Sequence, residues 1–79
     1  MKIRLDEVVV QWKSNGEIDP QRFVWLGQAY VVESVGRSWR DDEGYHVLCM
    51  TPDTKVYELI LTMKGEWLIQ PPLQSGFMA

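Results

Sequence analysis

The sequence contains few residues of the types that usually carry out chemistry. Its single histidine, His46, and its single cysteine, Cys49, are three positions apart in a predicted strand, so their side chains should lie on opposite faces. They can therefore neither share a metal ion nor form a thiolate–imidazole pair. The acidic run Asp41-Asp42-Glu43 lacks the ligand spacing of a calcium loop and would hold a cation only weakly. We interpret this run as a solvated turn.

No other catalytic arrangement stands out. Glu33 and Glu58 fall in the middle of predicted strands, where a carboxylate usually forms a cross-strand pair or protects an edge. No serine lies in a nucleophile elbow. The six glycines stand singly at turns rather than together in a phosphate-binding loop. We therefore predict a protein that is not an enzyme and that needs no metal and no cofactor.

The strongest candidates for a functional role are one tryptophan and the arginines near it. Arg37 and Arg40 flank Trp39. In an extended chain, the side chains of Arg37 and Trp39 lie on one face of the strand and the side chain of Arg40 lies on the other. Such a pair can stack on a base or bind a partner protein, since interfaces are enriched in Trp and Arg. The alternative is that Trp39 closes the end of the core and Arg37 shields its ring. The predicted partner-binding residues are Trp39, Arg37, Arg40 and Arg22.

The other tryptophans and the cysteine have structural interpretations. Trp12, Trp25 and Trp67 fall at regular strand positions and are predicted to be core residues, which leaves Trp39 as the most exposed of the four. Cys49 lies in a strand with apolar residues on both faces, so it should be buried and unreactive. A lone cysteine cannot form an internal disulfide, which favours a reducing compartment, the cytoplasm.

Alternating residues and turn residues predict the elements that position these side chains. β-branched and aromatic residues at alternate positions are typical of strands, and no ten-residue segment has helical periodicity. Gly27-Gln28 is predicted to form a type II′ turn, and Gly36 is predicted to form a bulge or bend. The sequence is also compatible with a short helical turn near Asp19–Arg22. The predicted strands cover residues 5–12, 22–26, 29–40 with a bend at 36, 45–51, 56–62 and 66–70.

Six short strands joined mostly by tight turns predict an antiparallel meander. Because a flat sheet of this size would leave one apolar face in water, the sheet must curl. We predict an all-β fold: a bent sheet or an SH3-like, partly open barrel. It should form one domain over residues 1–72, ended by two prolines, with a C-terminal tail at residues 73–79. No apolar run is long enough to span a membrane, and the N-terminal residues do not resemble a secretory signal.

The segment from Pro20 to Trp39 resembles the core of an uncharacterised small bacterial domain family. Its pattern is roughly Pro-x-Arg-Phe-x-Trp-x-Gly-x-x-Tyr-x-Val, followed by Val and Trp, and it is met here from Pro20 to Val32 and then at Val35 and Trp39. The later Val56–Leu59 and Trp67 also fit, so the resemblance covers about 50 of the 79 residues. Members occur alone or at the C-terminus of Y-family polymerase-like mutagenesis proteins. The resemblance implies a small bacterial domain and implies no activity.

Two functions agree with these observations. Basic residues total 8 against 11 acidic ones, with a net charge of −3 and a pI near 4.9, whereas proteins that neutralise many phosphates are usually basic. The first hypothesis is a non-catalytic module that binds a protein partner through an aromatic groove or a sheet edge. The alternative is a nucleic-acid accessory domain linked to DNA repair or translesion synthesis, with Trp39 as a stacking platform. Scattered basic residues would favour the first, and a basic face beside an exposed aromatic would favour the second.

Overall fold

The computed structural model describes residues 2–70, which form strands and turns without a helix. The all-β prediction is therefore confirmed. The predicted tail at residues 73–79 and the prolines before it lie outside the described residues. In this range there is no helix with the length and apolar character needed to cross a membrane. The strands are β1 (Ile3–Arg4), β2 (Glu7–Trp12), β3 (Ile18–Trp25), β4 (Gln28–Val31), β5 (Ser34–Asp41), β6 (Gly44–Met50), β7 (Val56–Thr62) and β8 (Trp67–Gln70).

These strands form two antiparallel sheets rather than one continuous meander. The order is β1-β8-β7-β6-β5 in the five-stranded sheet and β2-β3-β4 in the three-stranded sheet. A bend at Leu5 and Asp6 links the sheets, because the Leu5 N–H donates to the Trp67 carbonyl in one sheet and the Asp6 N–H donates to the Val24 carbonyl in the other. The fold is thus bent, as predicted, but its strands are not closed into a barrel.

A second bend separates β4 from β5 and divides the predicted third strand. The Val32 N–H donates to the Gln21 carbonyl of β3, in the three-stranded sheet. The next N–H, of Glu33, donates to the Met50 carbonyl of β6, in the five-stranded sheet. Consecutive residues therefore bond to different sheets. The predicted bulge near Gly36 is confirmed, since the β5–β6 register shifts between Val35 and Ser38.

Two local predictions on the three-stranded sheet are wrong. The β3–β4 turn consists of Leu26 and Gly27, with φ of 53° and 78°, so it is a type I′ turn closed by Trp25 and Gln28. The region near Asp19–Arg22 is not helical, because β3 runs through it. Pro20 is tolerated inside this central strand because the β2–β3 register shifts beside it, between Val9 and Val10.

The core lies between the two sheets. Val47, Leu59 and Ile69 are in register across three strands of the larger sheet, and all three are fully buried. Facing them, Phe23 stacks on Tyr30 with ring centroids 5.1 Å apart. Trp25 and Trp67 pack partly buried against this core, as predicted. Trp12 does not: it ends β2 and is 63% exposed, so its assignment to the core is wrong.

The opposite face of the five-stranded sheet, which we call the outer face, also contains buried side chains. His46, Ile60 and Leu68 are in register there, with Trp39 opposite His46 at the sheet edge. His46 is 3% exposed and Ile60 is fully buried, although neither belongs to the main core. The outer face therefore buries a polar side chain, His46, outside the main core.

Candidate functional site

The β5–β6 hairpin holds an acidic turn at the end of the outer face. Asp41 pairs with Gly44, which leaves Asp42 and Glu43 as a two-residue turn. Oδ1 of Asp41 accepts a hydrogen bond from the Glu43 N–H at 2.9 Å. Only glycine fits at position 44, because its φ is 142° and a Cβ there would lie 2.1 Å from the Leu61 carbonyl oxygen. The hairpin therefore fixes Asp41 and Glu43 relative to β6.

His46 lies between these acidic residues and a third carboxylate. Its Nδ1 donates to Oε2 of Glu58 at 2.6 Å, and its Nε2 donates to Oδ1 of Asp41 at 2.8 Å. Oε1 of Glu43 lies 3.8 Å from the same Nε2. The other oxygen of Glu43, Oε2, forms an ion pair with Nζ of Lys2. We call Asp41, Glu43, His46 and Glu58 the histidine cluster.

The histidine cluster favours the protonated imidazole. Burial alone would lower the pKa of His46, but the hydrogen bonds to Glu58 and Asp41 outweigh it and raise the pKa above its ordinary value. The hydrogen bond to His46, helped by the Glu43 N–H, holds the pKa of the Asp41 carboxyl below its usual range. Each shift favours the charged form, so the two groups stabilise each other as ions.

Trp39 and Arg37 lie beside this cluster. The Trp39 ring stacks on His46, with centroids 5.0 Å apart and an angle of 9° between the planes. The Arg37 guanidinium lies 5.6 Å from the centre of the Trp39 ring. Trp39 is half-buried by this stack and is less exposed than Trp12, so the prediction that it is the most exposed tryptophan is wrong. The two predicted site residues nevertheless lie together, at the rim of the outer face.

The other two predicted site residues lie elsewhere. Arg40 extends over the Tyr45 ring at 5.0 Å, on the opposite face of β5 from Trp39. Arg22 belongs to the three-stranded sheet, where it is exposed between Val9 and Val31. The structure therefore brings together Arg37 and Trp39 and separates them from the remaining pair.

Two further cations near the N-terminus are engaged with acidic residues. Lys2 binds Glu43, and Nη2 of Arg4 lies 3.9 Å from a carboxylate oxygen of Glu66. Together with the separated arginines, these pairs distribute the positive charge of residues 2–70 over several surfaces. Trp12, which is 63% exposed, ends β2 in the three-stranded sheet, whereas Arg37 and Arg40 belong to β5 in the other sheet.

An apolar groove of about 230 Å³ lies along β5 and β6, at the far end of the outer face from the acidic turn. Met50 and Val56, which pair across β6 and β7, are 36% and 41% exposed along it. Gly36 leaves the groove open, because a Cβ at this position would meet nothing closer than Leu48, at 3.9 Å. The lining residues are Ser34, Gly36, Leu48, Cys49, Met50 and Val56.

Cys49 is buried, as predicted. It is fully inaccessible and belongs to the main core. Burial, with a smaller contribution from Asp19, raises the pKa of the thiol to about 12. The thiolate is therefore scarce at neutral pH, and this residue acts as a small hydrophobe.

The comparisons find no match to this chain among protein-family models, curated proteins or solved structures. The geometry of the described residues therefore carries the functional interpretation. His46 is absent from the predicted site because, in the sequence, it pairs with neither Cys49 nor a serine in a recognisable catalytic arrangement. The available signal is the hairpin register: with Trp39 opposite His46, Asp41 falls on the same face two residues further along.

Proposed function

We propose that this protein is a non-catalytic module that binds an extended segment of a protein partner along β5. The observation that carries the proposal is an eight-residue strand, β5, that has no further strand beside it among residues 2–70 and lies next to an apolar groove. A segment added at such an edge would bond to the β5 backbone, and alternate side chains would reach the outer face. One of those side chains would enter the groove at Gly36.

The exposure of β5 supports this role. Edge strands are usually short, charged or covered, because an open edge invites pairing with another chain. The first four residues of β5, Ser34–Arg37, are all exposed, and none of them is acidic. The groove beside them is bordered by exposed Val56 and Met50. An edge with an apolar groove alongside is what a peptide-binding sheet requires.

Trp39 and Arg37 have a supporting role in this proposal. They lie on the outer face beyond the bulge at Gly36, where a bound segment would continue past the groove. A half-buried tryptophan with an arginine beside it is typical of an interface anchor. Arg40 and Arg22, which lie on other faces, are outside the surface that such a segment would cover.

The alternative, a nucleic-acid accessory domain, rests on the family resemblance. The scattered and paired cations argue against it, because phosphate binding needs a concentrated basic surface. Trp39 also already has ring partners in His46 and Arg37. These observations favour a protein partner in the cytoplasm, the compartment that the lone cysteine suggests.

The test uses the whole chain as bait for a random peptide library, followed by mapping of the selected peptides by NMR. We expect chemical-shift changes in β5 and along the groove at Leu48 and Met50. Gly36→Leu should abolish binding without unfolding, because its side chain fills the groove from an open position. Val31→Leu, which adds apolar bulk at an exposed site on the other sheet, is the matched control and should bind normally.

A second measurement on the same chain distinguishes the two functions. A single-stranded oligonucleotide measured by fluorescence anisotropy at low salt should not bind. Tight oligonucleotide binding that is lost in both Trp39→Ala and Arg37→Ala would replace the protein-binding proposal with the nucleic-acid one. Peptide shifts confined to the three-stranded sheet would also overturn the assignment to β5.

A further inference from the structure

We propose that the acidic end of the β5–β6 hairpin binds a divalent transition-metal ion, with Asp41, Glu43 and His46 as its ligands. The site would use one carboxylate oxygen from each acidic residue and Nε2 of the histidine. These ligand atoms all lie within 4.8 Å of one another. The proposal goes beyond partner binding and does not depend on it, since the groove lies at the other end of the outer face.

The buried histidine distinguishes this group from an ordinary acidic turn. His46 is 3% exposed, and its Nδ1 is committed to Glu58, so Nε2 is the ring nitrogen directed at the turn. A carboxylate that accepts a hydrogen bond from the distant ring nitrogen is the usual support of a metal-binding histidine. Trp39 stacks flat on the same ring and restricts its orientation. The imidazole is therefore aimed before an ion arrives.

The separations suit one ion. In a tetrahedral site, metal–nitrogen and metal–oxygen bonds of about 2.0–2.2 Å place neighbouring ligand atoms about 3.3–3.6 Å apart. Nε2 of His46 lies 2.8 Å from Oδ1 of Asp41 and 3.8 Å from Oε1 of Glu43. The two distances bracket the required value, so shifts of about 0.5 Å correct the separations from Nε2, and the two carboxylate oxygens, which lie within 4.8 Å of each other, need to approach by at most about 1.5 Å. Although the hairpin fixes their backbone, the side chains of Asp41 and Glu43 are exposed and can make such shifts.

The charges also suit a cation. Lys2 binds Oε2 of Glu43, whereas Oε1 of the same carboxylate is the oxygen nearest His46, so the lysine need not leave. The ion would replace the proton that Nε2 shares with Asp41, and that proton would pass to solvent. Glu58 would remain bonded to Nδ1. The positive charge lost from the imidazole would thus be replaced by the larger charge of the metal ion, which faces two carboxylates directly.

The donor set indicates the class of ion. One imidazole nitrogen and two carboxylates suit borderline ions such as Zn²⁺ and Co²⁺, whereas Ca²⁺ and Mg²⁺ prefer sites built entirely from oxygen. Three protein ligands leave positions for water, because the turn side of the site is exposed. We therefore infer a site in which Zn²⁺ fixes the hairpin while keeping solvent ligands.

The test is calorimetric titration of the full chain with Zn²⁺ after dialysis against EDTA. We expect saturable binding of one ion per chain. Asp41→Asn and Glu43→Gln should each weaken it at least tenfold, and Glu58→Gln should weaken it through the loss of its support to the histidine, by about 10–100-fold. Asp42→Asn is the matched control: it removes the same charge from the same turn and should change the affinity less than twofold.

Spectra of the Co²⁺-loaded chain and the nitrogen-15 shifts of His46 give a second measurement, independent of affinity. Zn²⁺ should move the Nε2 resonance and leave the Nδ1 proton in place. Absence of saturable binding would overturn the proposal. So would an Asp42→Asn loss equal to that of Asp41→Asn, which indicates diffuse attraction to acidic charge. Because His46→Gln can fail to fold, the two carboxylate variants decide the ligand set, and an unmoved Nε2 resonance excludes the histidine.

Discussion

The two faces of the five-stranded sheet bury their side chains in different ways. On the inner face, Val47, Leu59 and Ile69 are covered by the second sheet and need no polar partner. On the outer face, His46 is buried to a similar degree but is held by two carboxylates and a tryptophan ring. Apolar burial involves no titratable group and is insensitive to pH, whereas the stability of an ionic cluster depends on the protonation of its members and is weakened by salt screening. The same sheet therefore combines a fixed core with a surface that responds to protons and ions.

The largest difference between the faces should be seen on removal of an apolar side chain. Leu59→Ala leaves a cavity in the fully buried inner face and should destabilise the protein by about 2–5 kcal/mol. Leu68→Ala, in the half-buried outer row, should cost about 1 kcal/mol because neighbours and water can fill the space. Urea unfolding followed by fluorescence measures both. Equal losses would mean that the outer row is as well packed as the core.

The tryptophans provide a second comparison. Trp25 packs against Tyr30 and Tyr57, with ring centroids 6.0 Å away in each case, so Trp25→Ala should cost about 2–3 kcal/mol. Trp39→Ala loses mainly the stack on His46 and should cost about 1 kcal/mol. Denaturant midpoints of the two variants test this order. If Trp39→Ala is the more damaging change, Trp39 is structural rather than part of a binding surface.

His46 can be replaced in two ways that separate its charge from its packing. His46→Ala leaves Glu58 without its partner and removes the ring under Trp39, so we expect a loss of about 1–2 kcal/mol. His46→Phe keeps a ring for the stack and removes the charge, and it should retain more stability than His46→Ala. Thermal unfolding of both variants measures the difference. An equal loss would show that hydrogen bonding, rather than packing, holds the outer face.

The outer face should also make stability depend on pH. The raised pKa of His46 gives a contribution that is complete below its unfolded value, about 6.5, and is lost as the pH rises through the folded pKa. The lowered pKa of Asp41 gives a contribution present above its unfolded value, about 3.9, and lost as the pH falls through the folded pKa. The urea midpoint, measured in EDTA, should therefore be highest between about pH 3.9 and about pH 6.5. In the His46→Phe variant, the urea midpoint should no longer decrease as the pH rises above this range.

The smallest effect is expected at Cys49. Its thiol is inaccessible in the core, and burial raises its pKa to about 12, so a thiol reagent should label the native protein only at the rate of unfolding. Labelling in urea provides the fully reactive reference. Rapid labelling without urea would show that the inner face opens locally near β6.

The sequence predicted most strands but not their division into two sheets. Alternation identifies Val47 and Leu59 as strand residues, whereas the bends at Leu5 and Val32 depend on backbone bonds to two different sheets. No local residue type specifies such a choice of partner. The regular strand position of Trp12 predicts a core residue, but Trp12 is the last residue of β2 and is 63% exposed.

The candidate site was predictable in part. Trp39 and Arg37 are two residues apart in a strand, and the structure places them together. The histidine cluster needed the register of three strands, because Glu58 reaches His46 from β7 while Asp41 reaches it across the hairpin. Neither the acidic run at residues 41–43 nor the single histidine predicts a site by itself. They form a cluster only because the length of the hairpin turn sets the strand register, which determines the side chains that share a face.

The pairing of β1 with β8 has a consequence for the order of folding. Ile3 is in register with Ile69, so this part of the five-stranded sheet joins the two ends of the described chain. The hairpins β5–β6 and β6–β7 close over short loops and can form as soon as they are synthesised, whereas β1 has no partner until β8 has left the ribosome. During synthesis the N-terminal strand is thus an unpaired edge. The step that completes the sheet is then the closure of the longest loop in the fold.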